Sequence, residues 1–428
     1  MEGFDCNRIR DFRQFKKEIR GSKEYLIVGI DIAKEDHNAF MGSATGKTLL
    51  KRLVFQNDAE GFEKLKIQAE AIRVQNGLSK VVFGLEPTAC YHKPLAEYLI
   101  NDRQKLVYVS GEAVKKNRVL LDGRWDKHDA KDGANVADLI SQGKCLFYDH
   151  PPLPLRELRS LLSLKIRLKK QEHGLRVRIR NHLLAQFFPE LDRFFANGGP
   201  YLLSLVKWCL EPRAIAIMDF KEFSRIVAPG LVRGDILERL KKIWAIAPIS
   251  IGCEAGPALQ FEGKMMVELL IEIRKKLKAL DEKIEEICLL FPEYPLLLSI
   301  PGFGPDVSAK VLAALGDPFR FDNLNQVIRI AGYDLNANRS GKTSDSAVPV
   351  ISKKGKAGLR YALYQAALVA ATRNKEFIQY FTEKIRGREK ERGIKTKMRV
   401  KLAAKMLVIA WTLMKKKEAF NPEYLSIS

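Results

Sequence analysis

The 428-residue chain has no CxxC pair: its six cysteines, Cys6, Cys90, Cys145, Cys209, Cys253 and Cys288, lie far apart. Its six histidines show no metal-ligand spacing with one another or with cysteine. Both patterns argue against a zinc module and a disulfide framework, and they fit reduced thiols in a cytoplasm. No apolar run approaches the roughly 18 residues of a membrane helix, and no signal-peptide pattern opens the chain, so a membrane is set aside and a cytoplasmic location is expected. No internal repeat or low-complexity tract is present. Negative charge is scarce as well. Asp and Glu number 51 against 73 Lys and Arg, a formal net charge of +22. Such an excess suits a partner made of phosphates, because cations that displace condensed counterions contribute most of non-specific nucleic-acid affinity. Charge kept for solubility alone is the plain alternative.

The length allows two or three domains. Residues 1–22 read as a basic N-terminal arm. From Tyr25 the pattern becomes regular: YLIVGIDIA, HNAFMGSA and KTLLKRLVFQ are three strands of an antiparallel meander. Asn57 with Glu60 three residues on reads as a capping box opening a helix. KVVFGLEP is a fourth, buried strand, YHKPLAEYLIN a helix, KLVYVSG a fifth strand and KHDAKDGANVADLISQG a further helix. Three strands followed by alternating helices and strands is the order of a ribonuclease-H-like (RuvC-like) mixed sheet, expected over 23–150.

The region 151–295 is helical by pattern. Met266, Leu270, Ile273, Leu277, Leu280, Ile284 and Ile287 are spaced 4-3-4-3-4-3, the seam of a coiled coil or helical hairpin, with LRELRSLLSLKIRLKKQEHGLRVRIRNHLL as an antiparallel partner. A plain bundle core fits that pattern as well. The heptads also suggest at least a dimer, and more protomers, such as a tetramer, are expected in the working complex. SIPGFGPDVSAKVLAALG reads as a helix-hairpin-helix turn, with Gly302 and Gly304 letting backbone N–H groups approach a phosphate at a helix N-terminus. A mainly helical segment, 296–385, follows, and 386–428 is a basic linker with a C-terminal amphipathic helix.

One residue is out of place in the first strand. An aspartate, Asp31, costs several kcal/mol there if it is left dry and unpaired, on the order given for buried charge. Glu86 ends the fourth strand, and Asp129 and Asp132 stand three apart on one helix face. Singly, each has a bland reading as a turn residue, an edge charge, a solvated face or an N-cap. In a ribonuclease-H-like sheet, however, the first and fourth strands are neighbours and the late helix presents its aspartates from above. Four converging carboxylates repel unless cations neutralise them, and such hard oxygen ligands suit Mg²⁺ or Mn²⁺, which act on phosphodiesters in pairs.

GIDIAK, GLEPTACY and DAKDGANVADLI resemble the DEDD insertion-sequence transposases, whose RuvC-like domain carries Asp, Glu, Asp and Asp in this order. SIPGFGP, GDPFRF, IAGYDLNANRSGK and ISKKGKAGLRYALYQAA are similar to that family's separate transposase domain, so the match runs from about Tyr25 to Thr372. Two departures are His128 before Asp129, and Gly133, where the family has alanine; glycine there weakens the helix by up to ~1 kcal/mol. The resemblance implies that Ser340, in the loop NANRSGKTSD, is a nucleophile that holds DNA through a phosphoserine bond. On sequence alone, a Ser-Gly loop is a common turn. It further implies donor and target DNA as substrates and a structured non-coding (bridge) RNA as guide, which would spare the protein a base-reading element. Arg339 and Lys342 beside the serine, and Lys353 and Lys354 beyond it, are expected to meet phosphates. Two rivals stand: a metal-dependent junction resolvase with no covalent intermediate, and a non-catalytic nucleic-acid-binding protein, the latter only if the carboxylates are scattered in space.

Overall fold

The run YLIVGID forms β1 (Tyr25–Asp31), buried along its first six residues and half-buried at Asp31. Such a continuous apolar run marks a strand covered on both faces. The structure, a computed structural model, describes residues 4–122, 129–194, 199–230, 234–336 and 350–425. The chain divides into two units, Met1–Pro152 with Phe319–Asp322, and Leu153–Pro318 with Asn323–Ser428.

In the first unit, β2 (Asp36–Ser43) and β3 (Thr48–Gln56) continue from β1 as an antiparallel meander, and β4 (Lys80–Leu85) returns parallel to β1. β5 (Leu106–Tyr108) is parallel to β4, and a two-residue β6 (Leu146–Phe147), too short to show in the sequence pattern, closes the sheet antiparallel to β5. The order β3-β2-β1-β4-β5-β6 is the expected mixed, ribonuclease-H-like arrangement with one strand added.

Side-chain alternation along β1 explains the layers. Leu26, Val28 and Ile30 join Phe62, Leu65 and Ala69 of helix α2 (Ala59–Gln75) and Leu95 and Leu99 of α3 (His92–Asn101). Tyr25 and Ile27 face the other way, with Phe15 and Ile19 from α1 (Phe4–Glu18) and its exit, and with Val136 and Ile140 of α5 (Asp129–Ser141); α4 (Gly111–Asp122) precedes α5.

Two expectations need correction. Segment 1–22, read as a basic arm, carries α1, and Phe15 and Ile19 are fully buried against the sheet; its charged positions hid a short apolar stripe. The cap of α2 is Asp58 and not Asn57. The Asp58 carboxylate accepts from the Gly61 N–H at 2.8 Å, while Asn57 donates to the Lys34 carbonyl. Both residue types cap helices, and their adjacency left the register open.

In the second unit, α6 (Leu153–Arg178) pairs with the long helix Pro257–Cys288. Lys165 meets Asp281 at 2.6 Å, Arg274 meets Glu172 at 3.2 Å, and Arg178 meets Glu262 at 2.6 Å. Partners that rise along one helix fall along the other, so the hairpin is antiparallel. Leu270, Leu277, Leu280, Ile284 and Ile287 are buried in the single chain, so the heptads are satisfied internally and give no ground for a second copy. Between the two hairpin helices, 186–256 builds a small helical core around Phe187, Leu205, Phe223 and Ile243. The C-terminal part stacks the helices Pro305–Leu315, Ala357–Arg373 and Ile394–Lys416. The last is a core element, with Leu402, Met406, Leu407 and Leu413 buried. Among the described residues no helix is long and apolar enough to cross a membrane.

Candidate active site

Asp31 ends β1 and Glu86 follows β4, one step beyond the paired Ile30 and Leu85 of these parallel strands. By alternation both lie on the face of Ile27 and Gly29 on β1, and of Val82 and Gly84 on β4. That face lacks side chains where it matters. Gly29 and Gly84 are register partners, and α5 lies directly over them. A β carbon on Gly29 would stand 2.1 Å from the Gly133 carbonyl oxygen, and one on Gly84 would stand 2.0 Å from the Ile140 side chain. Gly133 answers from the helix, since its own β carbon would meet the Gly29 carbonyl oxygen at 2.9 Å. Gly133, where alanine is expected, thus gives up helix propensity for close seating of α5 on the sheet.

That seating carries Asp132 down to the strand ends. Asp31, Glu86 and Asp132 line one cleft of about 640 Å³ in the first unit. Asp132 is 4% exposed, and Arg118 of α4 donates to its Oδ1 at 2.6 Å. Asp31 is opposite Asn38 of β2, whose side-chain oxygen accepts from Arg52 Nε at 2.9 Å. Arg52, Lys115 and Arg118 also border the cleft, so cations flank the carboxylates. Gly111 opens α4 at its wall, where a β carbon would lie 2.6 Å from Glu86 Oε1. Beneath the loop after β1, His37 is fully buried and its Nδ1 accepts from the Ala33 N–H at 3.2 Å; burial pushes its pKa down, against a raising contribution from Asn57. The neutral ring holds the backbone just after Asp31.

Whether the cleft suits divalent metal turns on its donors. Carboxylates from β1, β4 and α5 share it, the hard-oxygen chemistry such ions need. Among the described residues, no group of three or more His, Cys, Asp or Glu is drawn tightly enough to enclose an ion, and one of the three carboxylates is held by Arg118. The donors fit in kind. The Asp129 side chain and His128 lie outside the described residues.

The second unit holds the other expected residues. Ser340, Arg339 and Lys342 lie outside the described residues; a two-stranded antiparallel ladder, Leu335–Asn336 with Val350–Ile351, flanks that stretch in sequence. Lys353 and Lys354 are exposed on a turn in which Lys353 has a φ of 56°. Gly302 has a φ of 89°, and a β carbon there would meet the Ala366 carbonyl oxygen at 2.5 Å, so its need for glycine is explained by packing on Ala357–Arg373. Around Gly304 there is open space. Tyr333, a rival hydroxyl, is buried and donates to the Arg360 carbonyl at 2.9 Å; burial raises its pKa far beyond the usual phenol range.

Residues 28–189 match a family model described as a transposase, the DEDD type of IS110, and residues 294–382 match that of the transposase IS116/IS110/IS902 family. The chain is 25% identical to the insertion element IS116 uncharacterized 44.8 kDa protein of Streptomyces clavuligerus over 92% of this chain and 96% of that protein. It is 24% identical to the insertion element IS110 uncharacterized 43.6 kDa protein of Streptomyces coelicolor, over 74% of this chain and 77% of that one. The chain belongs to the IS110 family of DEDD transposases. It is a transposase acting on DNA.

Within this IS110-family chain, Arg118, Arg52, Gly111 and the glycines under α5 were missed as site residues by sequence reasoning. Arg118 and Gly111 belong to a helix, α4, that carried no expectation at all. Gly29 and Gly84 had a signal, a glycine two residues before each strand-end carboxylate, which reads as significant once the strands are known to be neighbours.

Proposed function

We propose that this transposase cuts and rejoins DNA strands to mobilise an insertion sequence, through a metal site of Asp31, Glu86, Asp129 and Asp132 and a serine nucleophile, Ser340, with a bridge RNA as guide. The observation that carries the reading is that three of the four carboxylates, from three separate elements, line a single cleft at the strand ends of a RuvC-like sheet. Mg²⁺ or Mn²⁺ bound there supplies activation of a nucleophile and stabilisation of a leaving oxygen at a phosphodiester.

Asp31 and Glu86 hold their ligand atoms at the ends of paired strands, and Asp132 is fixed by the seating of α5. Ser340 Oγ forms a bond to phosphorus as the bond to a strand oxygen breaks, the serine proton ends on that oxygen as a strand hydroxyl, and the phosphoserine retains the energy that rejoins strands without ATP. Arg339 and Lys342 counter the phosphate charge beside it. Lys353 and Lys354, exposed on a tightly packed turn, grip backbone phosphates together with Gly304, in line with the net charge of +22. The guide reading rests on that charge and on the family resemblance.

The test has three arms on the full chain. Asp31→Ala, or EDTA, abolishes cleavage while DNA binding remains. Ser340→Ala keeps binding but loses strand exchange and any DNA adduct that survives denaturation. Sequencing of co-purified RNA returns one structured species from beside the gene. Full cleavage in EDTA overturns the metal site, an adduct mapped to Thr343 or Ser344 overturns the nucleophile, and equal affinity for an unrelated RNA of equal length overturns the guide. A cleaving enzyme that never forms an adduct returns the resolvase reading.

A further inference from the structure

Asp132 is the most buried of the three carboxylates that line the cleft, at 4% exposure, and an ion pair already neutralises it. Arg118 Nη2 stands 2.6 Å from its Oδ1. A carboxylate so deep in the protein needs a counter-charge at all times, because leaving a buried charge unpaired costs several kcal/mol on the usual scale. The pair is not a finished one on the arginine side. Arg118 Nε is buried with no hydrogen-bond partner, whereas a guanidinium locked for structure alone commonly forms a two-pronged pair with a carboxylate. The arginine is also not walled off, since its side chain is 25% exposed and borders the cleft with Asp31 and Glu86.

We infer that Arg118 is the resident counter-charge of Asp132, a built-in cation that a divalent metal must displace to take up the carboxylate. The inference rests on the metal assignment made above. In the free protein the guanidinium keeps α4 and α5 joined through Asp132 and keeps the cleft from assembling as an all-carboxylate site. When a divalent cation takes over the neutralisation of Asp132, the guanidinium is freed with its unmet Nε donor in a cleft that Arg52 and Lys115 also border. A phosphodiester carries the charge those cations would meet there. Nucleic acid and metal therefore favour the same exchange, one by attracting Arg118 and the other by replacing it. Binding of each should strengthen binding of the other.

The experiment uses the full-length chain freed of nucleic acid, with Mn²⁺ as the probe and free Mn²⁺ read by electron paramagnetic resonance. Arg118→Gln, which keeps hydrogen-bonding capacity but removes the charge, is expected to bind Mn²⁺ about tenfold tighter than the wild type, the scale on which one charge a few ångströms away shifts a partly exposed site. Its melting temperature in EDTA falls, and added Mn²⁺ raises it more than it raises that of the wild type. Should the glutamine variant lose its native circular dichroism, Arg118→Lys carries the same test, because a single ammonium on a shorter reach neutralises Asp132 less completely and affinity must still rise. Mn²⁺ affinity equal to or weaker than wild type in a folded variant overturns the inference. Asp132→Asn separates the two layers. Unchanged Mn²⁺ affinity there overturns the metal assignment and this inference with it. Lost affinity in Asp132→Asn with no gain in Arg118→Gln overturns the inference alone.

Discussion

Gly29 on β1 and Gly133 on α5 meet backbone to backbone: a β carbon on Gly29 would stand 2.1 Å from the Gly133 carbonyl oxygen. This contact sets how deep the helix lies on the sheet, and so where Asp132 stands relative to Asp31. Gly29→Ala is expected to push α5 off the sheet, with a loss of about 2–3 kcal/mol, in the range of overpacked cores, and of DNA cleavage. Gly133→Ala gains up to ~1 kcal/mol of helix propensity yet brings its β carbon to 2.9 Å from the Gly29 carbonyl oxygen. Its net effect is a small destabilisation with a larger loss of activity. Urea melts beside cleavage assays check both; a Gly29→Ala protein as stable and active as the wild type removes the role of this contact.

Gly302 and Gly304 were expected to act alike, and their surroundings differ. Gly302→Ala places a β carbon 2.5 Å from a carbonyl oxygen at a φ of 89° and should cost about 2 kcal/mol or more, as for alanine at positive φ with a clash. Gly304 sits at a φ of −108° with open space, so Gly304→Ala should leave the melting temperature unchanged. If backbone approach to a phosphate matters there, Gly304→Ala weakens nucleic-acid binding and flattens nothing else. Gel-shift titrations beside thermal melts tell the two apart.

Lys165 is buried between Asp281, at 2.6 Å, and Asp306, which Lys310 also contacts. Burial pushes the Asp306 pKa up, but its hydrogen bonds to Lys165 and Lys310 outweigh burial and hold it below the usual value of 3.8. Burial pushes Lys165 down, and its hydrogen bonds to Asp281 and Asp306 raise it above 10.5. A depressed carboxylate stabilises above its unfolded pKa and loses that contribution as pH falls through the folded one; a raised lysine does so below its unfolded pKa and loses it as pH rises through the folded one. Lys165→Met should therefore cost about 1–3 kcal/mol at neutral pH, a figure discounted for the half-exposed carboxylates. The cost stays level between the two limits and shrinks below the ordinary aspartate range. Melting curves taken from acid to neutral pH check it; a penalty that grows in acid contradicts the account.

Phe15 is fully buried, with its ring edge-on to Tyr25 at 5.5 Å and the Lys105 ammonium 5.2 Å from its centre. Phe15→Ala should cost about 3–5 kcal/mol, as for buried phenylalanine elsewhere, and removal of residues 1–22 should destabilise the first unit similarly. Chemical denaturation monitored by circular dichroism measures both. A truncated chain of unchanged stability would return this segment to the status of an arm.

The sequence by itself determined the first five strands of the sheet and the family of DNA transposases to which the chain belongs. β1 reads as buried because it is a continuous apolar run, and the carboxylates stand out because charge is rare in such company. The heptads were legible too, since their spacing is local, but their partner was not. Only the tertiary structure decided that Leu277 and Ile284 are buried within the same chain, on a long helix that pairs with α6, because a seam repeats identically whether its partner lies in cis or in trans. The same limit hid Arg118 and Gly29. An arginine on a basic helix and a glycine in a strand look ordinary in one dimension, and they take on meaning only through what is packed against them. Pairings between α4 and α5, or between β1 and α5, join positions 14 to 104 residues apart, and no periodicity records a contact of that kind. Local pattern fixes which faces are apolar and which charges are out of place; what neutralises those charges is set by packing between elements.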